Sequence, residues 1–386
     1  MLNFEIDRKY LVETLQGLVR IDSVNPGLVE GAAGEAEIAR YTASRLGQLG
    51  LQVQLHEPVP GRVSVTGLWP GSGGGRSLML NAHYDTVGVE GMEEPFSGRI
   101  EEGRLLGRGA YDMKAGLAAS MAAVKALMEA GFKPSGDIVL AAVADEEHAS
   151  LGTSDLLKRF TVDAAIVTEP SQLEICTAHK GFIWLEVETR GRAYHGSRFD
   201  KGIDANMRMG RFLHQLETLE RDLRARPPHP LLGPPSLHAA QIQGGTSPSV
   251  YAASCRLTIE RRTLPGEGAD QVEEEIRSIL RRLEAEDESF RASLRIGLVR
   301  EPFEIGADAA IVATLEEACR NVLGRLPPHC GQNPWMDSAL LSAAGIETAV
   351  IGPSGGGAHS DREWVDLDSV HDLSAILARA AAAYCH

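Results

Sequence analysis

Between Arg76 and Val87 the chain reads RSLMLNAHYDTV, an apolar run that stops at a histidine and an aspartate two positions apart. Side chains alternate faces along a strand, so His83 and Asp85 project to one side where that strand ends. A carboxylate beside an imidazole can accept one ring N–H and leave the other nitrogen as a neutral metal ligand. The same pair can equally be a loop or capping contact, so the neighbouring segments decide its meaning.

Those segments repeat the pattern. GAYDMKAGLAASMAAVKALMEAG sets Asp112 at the mouth of an alanine-rich helix ending at Gly131, DIVLAAVA runs into Asp145, Glu146 and Glu147, and AAIVT leads to Glu169. Strands alternating with helices predict an α/β fold with a mainly parallel sheet, in which ligands gather outside the carboxyl ends of the strands. One acid at a strand end is commonly a helix N-cap. Here several strands bring acid or histidine to one edge, and such clustered carboxylates repel one another unless a cation compensates.

Composition narrows the classes. At 386 residues the chain is long enough for two or three domains. It has no apolar run near the ~18 residues a membrane span needs. Its first segment, MLNFEIDRKYLVETLQGLVRIDS, lacks the basic start and apolar centre of a signal peptide, which predicts a cytoplasmic protein. A net charge of −15 argues against nucleic acid or an anionic membrane as partner. Cys176, Cys255, Cys319, Cys330 and Cys385 are odd in number and never in a C-x-x-C spacing, which fits reduced structural thiols. The glycines at 71 to 75 lack the G-x-G-x-x-G spacing and read as a turn, which leaves a nucleotide-binding α/β protein without its phosphate cradle.

Helical periodicity marks residues 7 to 19 and 34 to 49, and PFSGRIEEGRLLGRG reads as a hairpin. From Phe182 the character changes. FIWLEVETRGRAYHGS begins a new set of strands, followed by the helix DANMRMGRFLHQLETLERDLRA, the strands LHAAQIQGG and SCRLTIERR, a charged helix from Ala269 to Ala285, and SLRIGLV. That order predicts an open-faced α+β sandwich inserted over 182–299, with residues 1–181 and 300–386 forming the first domain, which carries the His83, Asp112, Glu147, Glu169 and His359 positions. A helix from Asp308 to Leu323, WMDSALLSAAG, TAVIG, the run Gly355, Gly356 and Gly357 before His359, and a helix from Val370 to Tyr384 complete the chain.

In order, HYDTV, GAYDMKAG, ADEE, TEPS, GRAYHGS, GGTSPSV with ERRTLPGE, WMDSALL and GPSGGGAHS resemble the zinc-dependent amidohydrolases and exopeptidases that include acetylornithine deacetylase, succinyl-diaminopimelate desuccinylase, aminoacylase and glutamate-releasing carboxypeptidase. The resemblance implies two zinc ions, with cobalt or manganese tolerated. It gives His83 and Glu169 to one ion, Glu147 and His359 to the other, and Asp112 to both. Asp85 would orient His83, and Glu146 would be the general base.

In the inserted domain the resemblance makes His195 an oxyanion-stabilising group, often presented across a dimer interface, and makes that domain a lid and homodimerisation module. It makes Arg262 the receptor of a substrate carboxylate. Arg261, its neighbour on the strand, points to the other face and reads as a surface charge. The glycines at 355 to 357 would bring backbone N–H groups toward the same carboxylate. Where many relatives have asparagine in an N-V-x-P pattern, this chain has Ser249-Val250-Tyr251-Ala252, which leaves the particular substrate open. The expected reaction is hydrolysis of the amide bond of a small N-acyl amino acid or C-terminal amino acid conjugate. The competing expectation is a non-catalytic binding protein with the same fold.

Overall fold

The computed structural model describes residues 3–386. The chain forms two compact units. One comprises the chain up to Thr177 with Ile305–Cys330 and Met336–His386; the other comprises Ala178–Glu304 with Gly331–Trp335.

The first unit opens with α1 (Arg8–Val19), which Asp7 caps by accepting the Tyr10 N–H, and which buries Leu11, Leu15 and Leu18 along one stripe. After α2 (Ala36–Gln48), strands β1 (Gln52–Val59) and β2 (Arg62–Trp69) form an antiparallel pair across a turn at Gly61, whose φ of 82° suits glycine. Then come β3 (Leu78–His83) and the hairpin of β4 (Ile100–Glu101) and β5 (Arg104–Leu106). Helix α3 (Ala115–Glu129) is buried almost all round, its alanines allowing close approach to α1. Strand β6 (Ile138–Val143), α4 (Leu151–Leu156), β7 (Ala164–Val167) and β8 (Ile175–His179) come next.

The second unit contains β9 (Gly181–Arg190), α5 (Ala205–Arg224), β10 (Ser236–Gly244), β11 (Ser254–Thr263), α6 (Ala269–Glu286), β12 (Arg291–Arg300) and the short β13 (Phe303–Glu304). Its sheet has the order β10-β11-β9-β12 and is antiparallel throughout. Period-two alternation puts Ile183, Leu185 and Val187 of β9 on one face, where they meet Leu257 and Ile259 of β11, Phe212 of α5 and Ile276 of α6. The strand stops at Arg190 instead of continuing through GRAYHGS. A Cβ on Gly191 would lie 2.2 Å from the Ile203 carbonyl oxygen, so the chain is turned there to pass close to another segment. Beyond that turn the GRAYHGS segment is held by isolated bridges, Arg192 with Ile203 and His195 with Val250.

The chain returns with α7 (Ala310–Leu323), β14 (His329–Gln332), α8 (Ser338–Ala343), β15 (Glu347–Val350), β16 (Gly355–Gly356), β17 (Trp364–Asp366) and α9 (Leu367–Tyr384), the last capped by Asp366 on the Ser369 N–H. The main sheet runs β1-β2-β6-β3-β7-β15-β8. Its centre, β6-β3-β7-β15, is parallel, as expected. At its margins β1 with β2, β2 with β6, and β15 with β8 are antiparallel. The runs LMLNAH, IVLAAV and AAIV are buried at every residue, the pattern of strands covered on both faces. Among the described residues no helix is long and apolar enough to cross a membrane.

Candidate metal centre

Because β6, β3, β7 and β15 are neighbours and parallel, their carboxyl ends lie side by side. From β6 emerge Asp145, Glu146 and Glu147, from β3 His83 and Asp85, and from β7 Glu169. The chain leaving β15 reaches the glycine turn and His359, while Asp112 comes from the turn that opens α3.

The two histidines face opposite oxygens of one carboxylate. His83 Nε2 lies 3.3 Å from Asp112 Oδ1, and His359 Nε2 lies 3.4 Å from Asp112 Oδ2. Around His83 Nε2 stand Glu169 at 3.5 Å and Glu146 at 3.8 Å. His359 Nε2 is 3.1 Å from Glu147. The ligand atoms of His83, Asp112 and Glu147, and those of His83, Glu146 and Glu169, form two overlapping groups, each within 4.8 Å. Mixed imidazole and carboxylate donors at this spacing fit divalent zinc, cobalt or manganese.

The electrostatics agree with a site built for added positive charge. Burial, reinforced by neighbouring acids, holds the Glu146 and Glu169 carboxyls well above the usual range and raises Glu147. Burial would lower His83, but the charge of Glu169, the hydrogen bond to Asp112 and the charge of Glu146 push it well above its ordinary value. Hydrogen bonds to Asp112 and Glu147 raise His359 to about 10. Asp112 is lowered against its burial by bonds from His359 and His83. Protons thus supply compensation that a cation can take over.

Asp85 sits beneath this cluster, fully buried. The His83 Nδ1–H donates to the Asp85 backbone carbonyl at 3.0 Å, while the Asp85 carboxylate is 3.6 Å from that nitrogen. The carboxylate accepts instead from the Glu146 and Glu147 backbone N–H groups at 3.1 and 3.2 Å and from Asn25 Nδ2 at 2.8 Å. It therefore bears on the acidic pair as well as on His83. Asp145 and His359 hold φ values of 72° and 59°, an uncommon region for residues other than glycine that here lies within the cluster.

The glycine run answers first to its own turn. A Cβ on Gly357 would fall 1.9 Å from the Arg362 carbonyl oxygen, and one on Gly355 would fall 2.5 Å from that of Trp364. Gln172 Nε2 donates to Tyr111 Oη at 2.7 Å and to the Gly355 carbonyl at 3.1 Å beside it.

In the second unit His195 is exposed, its Nδ1 accepting the Ser197 N–H at 3.3 Å and paired with Ser197 Oγ at 2.9 Å. Arg262 is half-buried, 2.7 Å from Glu260 and stacked over Phe182. Arg261 corrects the sequence expectation: it is no surface charge but is 1% exposed. The alternation Cys255, Leu257, Ile259 carries position 261 to the core face, where Arg261 meets Glu267 at 2.7 Å and Glu275 at 3.3 Å.

Several contributors escaped the sequence reading. Asn25 spans Asp85 and Asp145; Arg62, a strand residue without motif context, joins Glu35 to Asp145 at 2.6 Å; Asp337 is buried and bonded to Thr153 Oγ1. Glu363 binds the turn that carries Asp112. Two of them offered a signal: Asp337 lies within WMDSALL, and Glu363 is an acid four residues after His359, though one charge in a loop is weak.

A parallel-centred sheet with two histidines and clustered carboxylates at its carboxyl edge defines a metal-dependent hydrolase class. Residues 79–383 match Peptidase family M20/M25/M40, and the chain belongs to that family. It is 30% identical over 383 residues to the acetylornithine deacetylase of Myxococcus xanthus, covering 96% of this chain and 97% of that one. It is 28% identical to the N-formyl-4-amino-5-aminomethyl-2-methylpyrimidine deformylase of Bacillus subtilis (strain 168), covering 90% and 89% of the two chains. A dinuclear metal-binding peptidase of the M20 family from Bacillus subtilis shares the fold with a TM-score of 0.75 at 16% identity, over 98% of each chain. The protein is a metal-dependent amidohydrolase, as the order of its motifs led one to expect.

Proposed function

We propose that this enzyme removes an acyl group from the nitrogen of a small amino acid, or releases a C-terminal amino acid from a conjugate, by hydrolysing the amide bond. The observation that carries the reading is the placement of His83 and His359 on opposite oxygens of Asp112, with Glu146 alongside. The likeness to a deacetylase and a deformylase, which by their names act on N-acyl groups of different size, supports the acyl-transfer chemistry and leaves the acyl group open.

His83 and Glu169 would hold one cation, Glu147 and His359 a second, and Asp112 both. When bound, the pair polarises the scissile carbonyl and acidifies the attacking water. Glu146 takes a proton from that water as its oxygen bonds to the carbonyl carbon, and returns it to the nitrogen as the C–N bond breaks. Asp85 fixes the backbone from which Glu146 and Glu147 project. His195 accepts through Nδ1, so its neutral form carries the proton on Nε2 and can donate to a developing oxyanion. Arg262 receives the substrate carboxylate in exchange for Glu260, aided by N–H groups at Gly355, Gly356 and Gly357. The inserted unit closes over substrate and forms a homodimer in a cytoplasmic enzyme.

The test is amine release from a panel of N-acetyl, N-succinyl and N-formyl amino acids and glutamyl dipeptides, with zinc-loaded protein beside Glu146→Ala. Turnover on one subset that falls ~10²–10⁴-fold in the variant supports the mechanism. Unchanged turnover removes Glu146 from it, and full activity of a strictly monomeric enzyme removes any need for a dimer.

A further inference from the structure

Outside the expected ligands, Arg108 and Glu363 form a buried ion pair, their side chains 4% and 1% exposed. Glu363 Oε1 accepts the Tyr111 and Asp112 N–H groups at 2.9 and 3.0 Å. Its Oε2 accepts the Gly109 N–H at 3.0 Å and Arg108 Nη1 at 2.8 Å. Arg108 Nη2 then donates to the Ser360 carbonyl at 2.9 Å, and Arg108 Nε to that of Gly88 at 2.9 Å. One ion pair thereby ties the turn presenting Asp112 to the residue next to His359.

Charge burial of this kind is a poor route to stability, since desolvating two ions offsets much of their attraction. It is an effective way to fix geometry, because both oxygens of Glu363 and all three nitrogens of Arg108 point at named partners. The ordinary alternative is that Glu363 merely satisfies N–H groups at the mouth of α3. That alternative leaves unexplained why the paired arginine reaches the His359 loop. Gly109 makes the turn tight as well: its φ is 76°, and a Cβ there would lie 2.7 Å from Thr86 Cγ2.

We propose that Glu363 and Arg108 are positioning residues that set the spacing between the two cation subsites, Glu363 through Asp112 and Arg108 through the His359 loop. The inference rests on the two-cation reading above. Glu363→Gln replaces one acceptor oxygen by an NH2 group that opposes backbone donors, so the Asp112 turn shifts. Arg108→Gln leaves the three backbone bonds to Glu363 in place and frees Ser360, so the His359 side alone loosens.

Chelated protein would be titrated with Co²⁺ and followed by calorimetry and by the cobalt visible and electron paramagnetic resonance spectra. If the parent takes up fewer than two Co²⁺ per chain, the two-cation reading itself fails. If the parent binds two, Glu363→Gln is expected to bind the second at least tenfold more weakly with altered cobalt spectra, and to lower kcat with little change in KM. Arg108→Gln is expected to weaken one Co²⁺ and leave the other as in the parent. A folded Glu363→Gln protein that binds two Co²⁺ with the parent's affinities and spectra overturns the proposal. Should Glu363→Gln fail to fold, Arg108→Gln decides: one weakened ion supports the proposal and two unchanged ions overturn it.

Discussion

The carboxylate of Asp85 accepts the backbone N–H of Glu146 at 3.1 Å, so a residue expected to steer a histidine also carries the proposed general base. Its second oxygen takes the Glu147 N–H and Asn25 Nδ2. Asp85→Ala removes all three bonds at once. We expect kcat to fall on the order of 10²-fold, the usual scale for misplacing a reacting group by an ångström, with a smaller change in KM. Asp85→Asn should be little better, because its NH2 group must face a donor. Steady-state kinetics of both variants check this, and a parent-like kcat in either would detach Asp85 from the Glu146 position.

Removing the cations should be felt by the whole first unit. Glu146, Glu147 and Glu169 then confront one another and the Asp112 carboxylate around His83, with burial and repulsion opposing the ionisation of the three glutamates. Dialysis against a chelator is expected to abolish turnover and to lower Tm by roughly 10–20 °C, given about 2.7 kcal/mol for each of two ions at a hundredfold excess over Kd. Added zinc should restore both. Activity that survives complete chelation, verified by elemental analysis, would contradict the metal-dependent mechanism.

The central part of this candidate site was legible because His83, Glu146, Glu147 and Glu169 lie just beyond apolar strands and Asp112 at the mouth of a helix, places that the sequence pattern marks. His83, Glu146, Glu147 and Glu169 fall at adjacent strand ends only because β6, β3 and β7 are neighbours, an order that the alternation of strands and helices favours. What supports them was not legible. Asn25 and Glu363 are joined to Asp85 and Asp112 across long stretches of chain, and a hydrogen bond between distant loops leaves no periodicity. The antiparallel margins were also hidden, since β8 is as apolar as the parallel strands beside it.

A pH prediction can be made away from the cation site. Hydrogen bonds from Ser289 Oγ and the Ser289 N–H, with Arg211 beside them, lower the Asp287 carboxyl to about 2. A depressed acid binds its proton less tightly in the folded than in the unfolded chain, whose value is ~3.9. Its stabilising contribution is therefore complete above that value and is lost as pH falls through about 2. Asp287→Asn should lower the urea midpoint of the second unit by the same margin from pH 5 to pH 8, and the margin should narrow below pH 4. A margin that widens on acidification would refute the assignment.

Adjacent arginines on β11 separate structure from function most cleanly. Arg261 is buried between Glu267 and Glu275, which Arg226 also contacts from the rim at 3.1 and 2.8 Å. Arg261→Ala leaves two acids with a single, partly exposed counter-charge, and is expected to cost about 3–5 kcal/mol. Arg262 holds a half-exposed pair with Glu260, worth at most about 1 kcal/mol to the fold. If Arg262 receives the substrate carboxylate, Arg262→Ala should leave the unfolding midpoint almost unchanged and raise KM, with the penalty disappearing for a substrate analogue whose carboxylate is replaced by an amide. Parallel denaturation and kinetics on the two variants make the test. A KM effect that persists with the amide analogue would show that Arg262 acts on something other than the carboxylate, since an ionic partner that the substrate lacks cannot be lost.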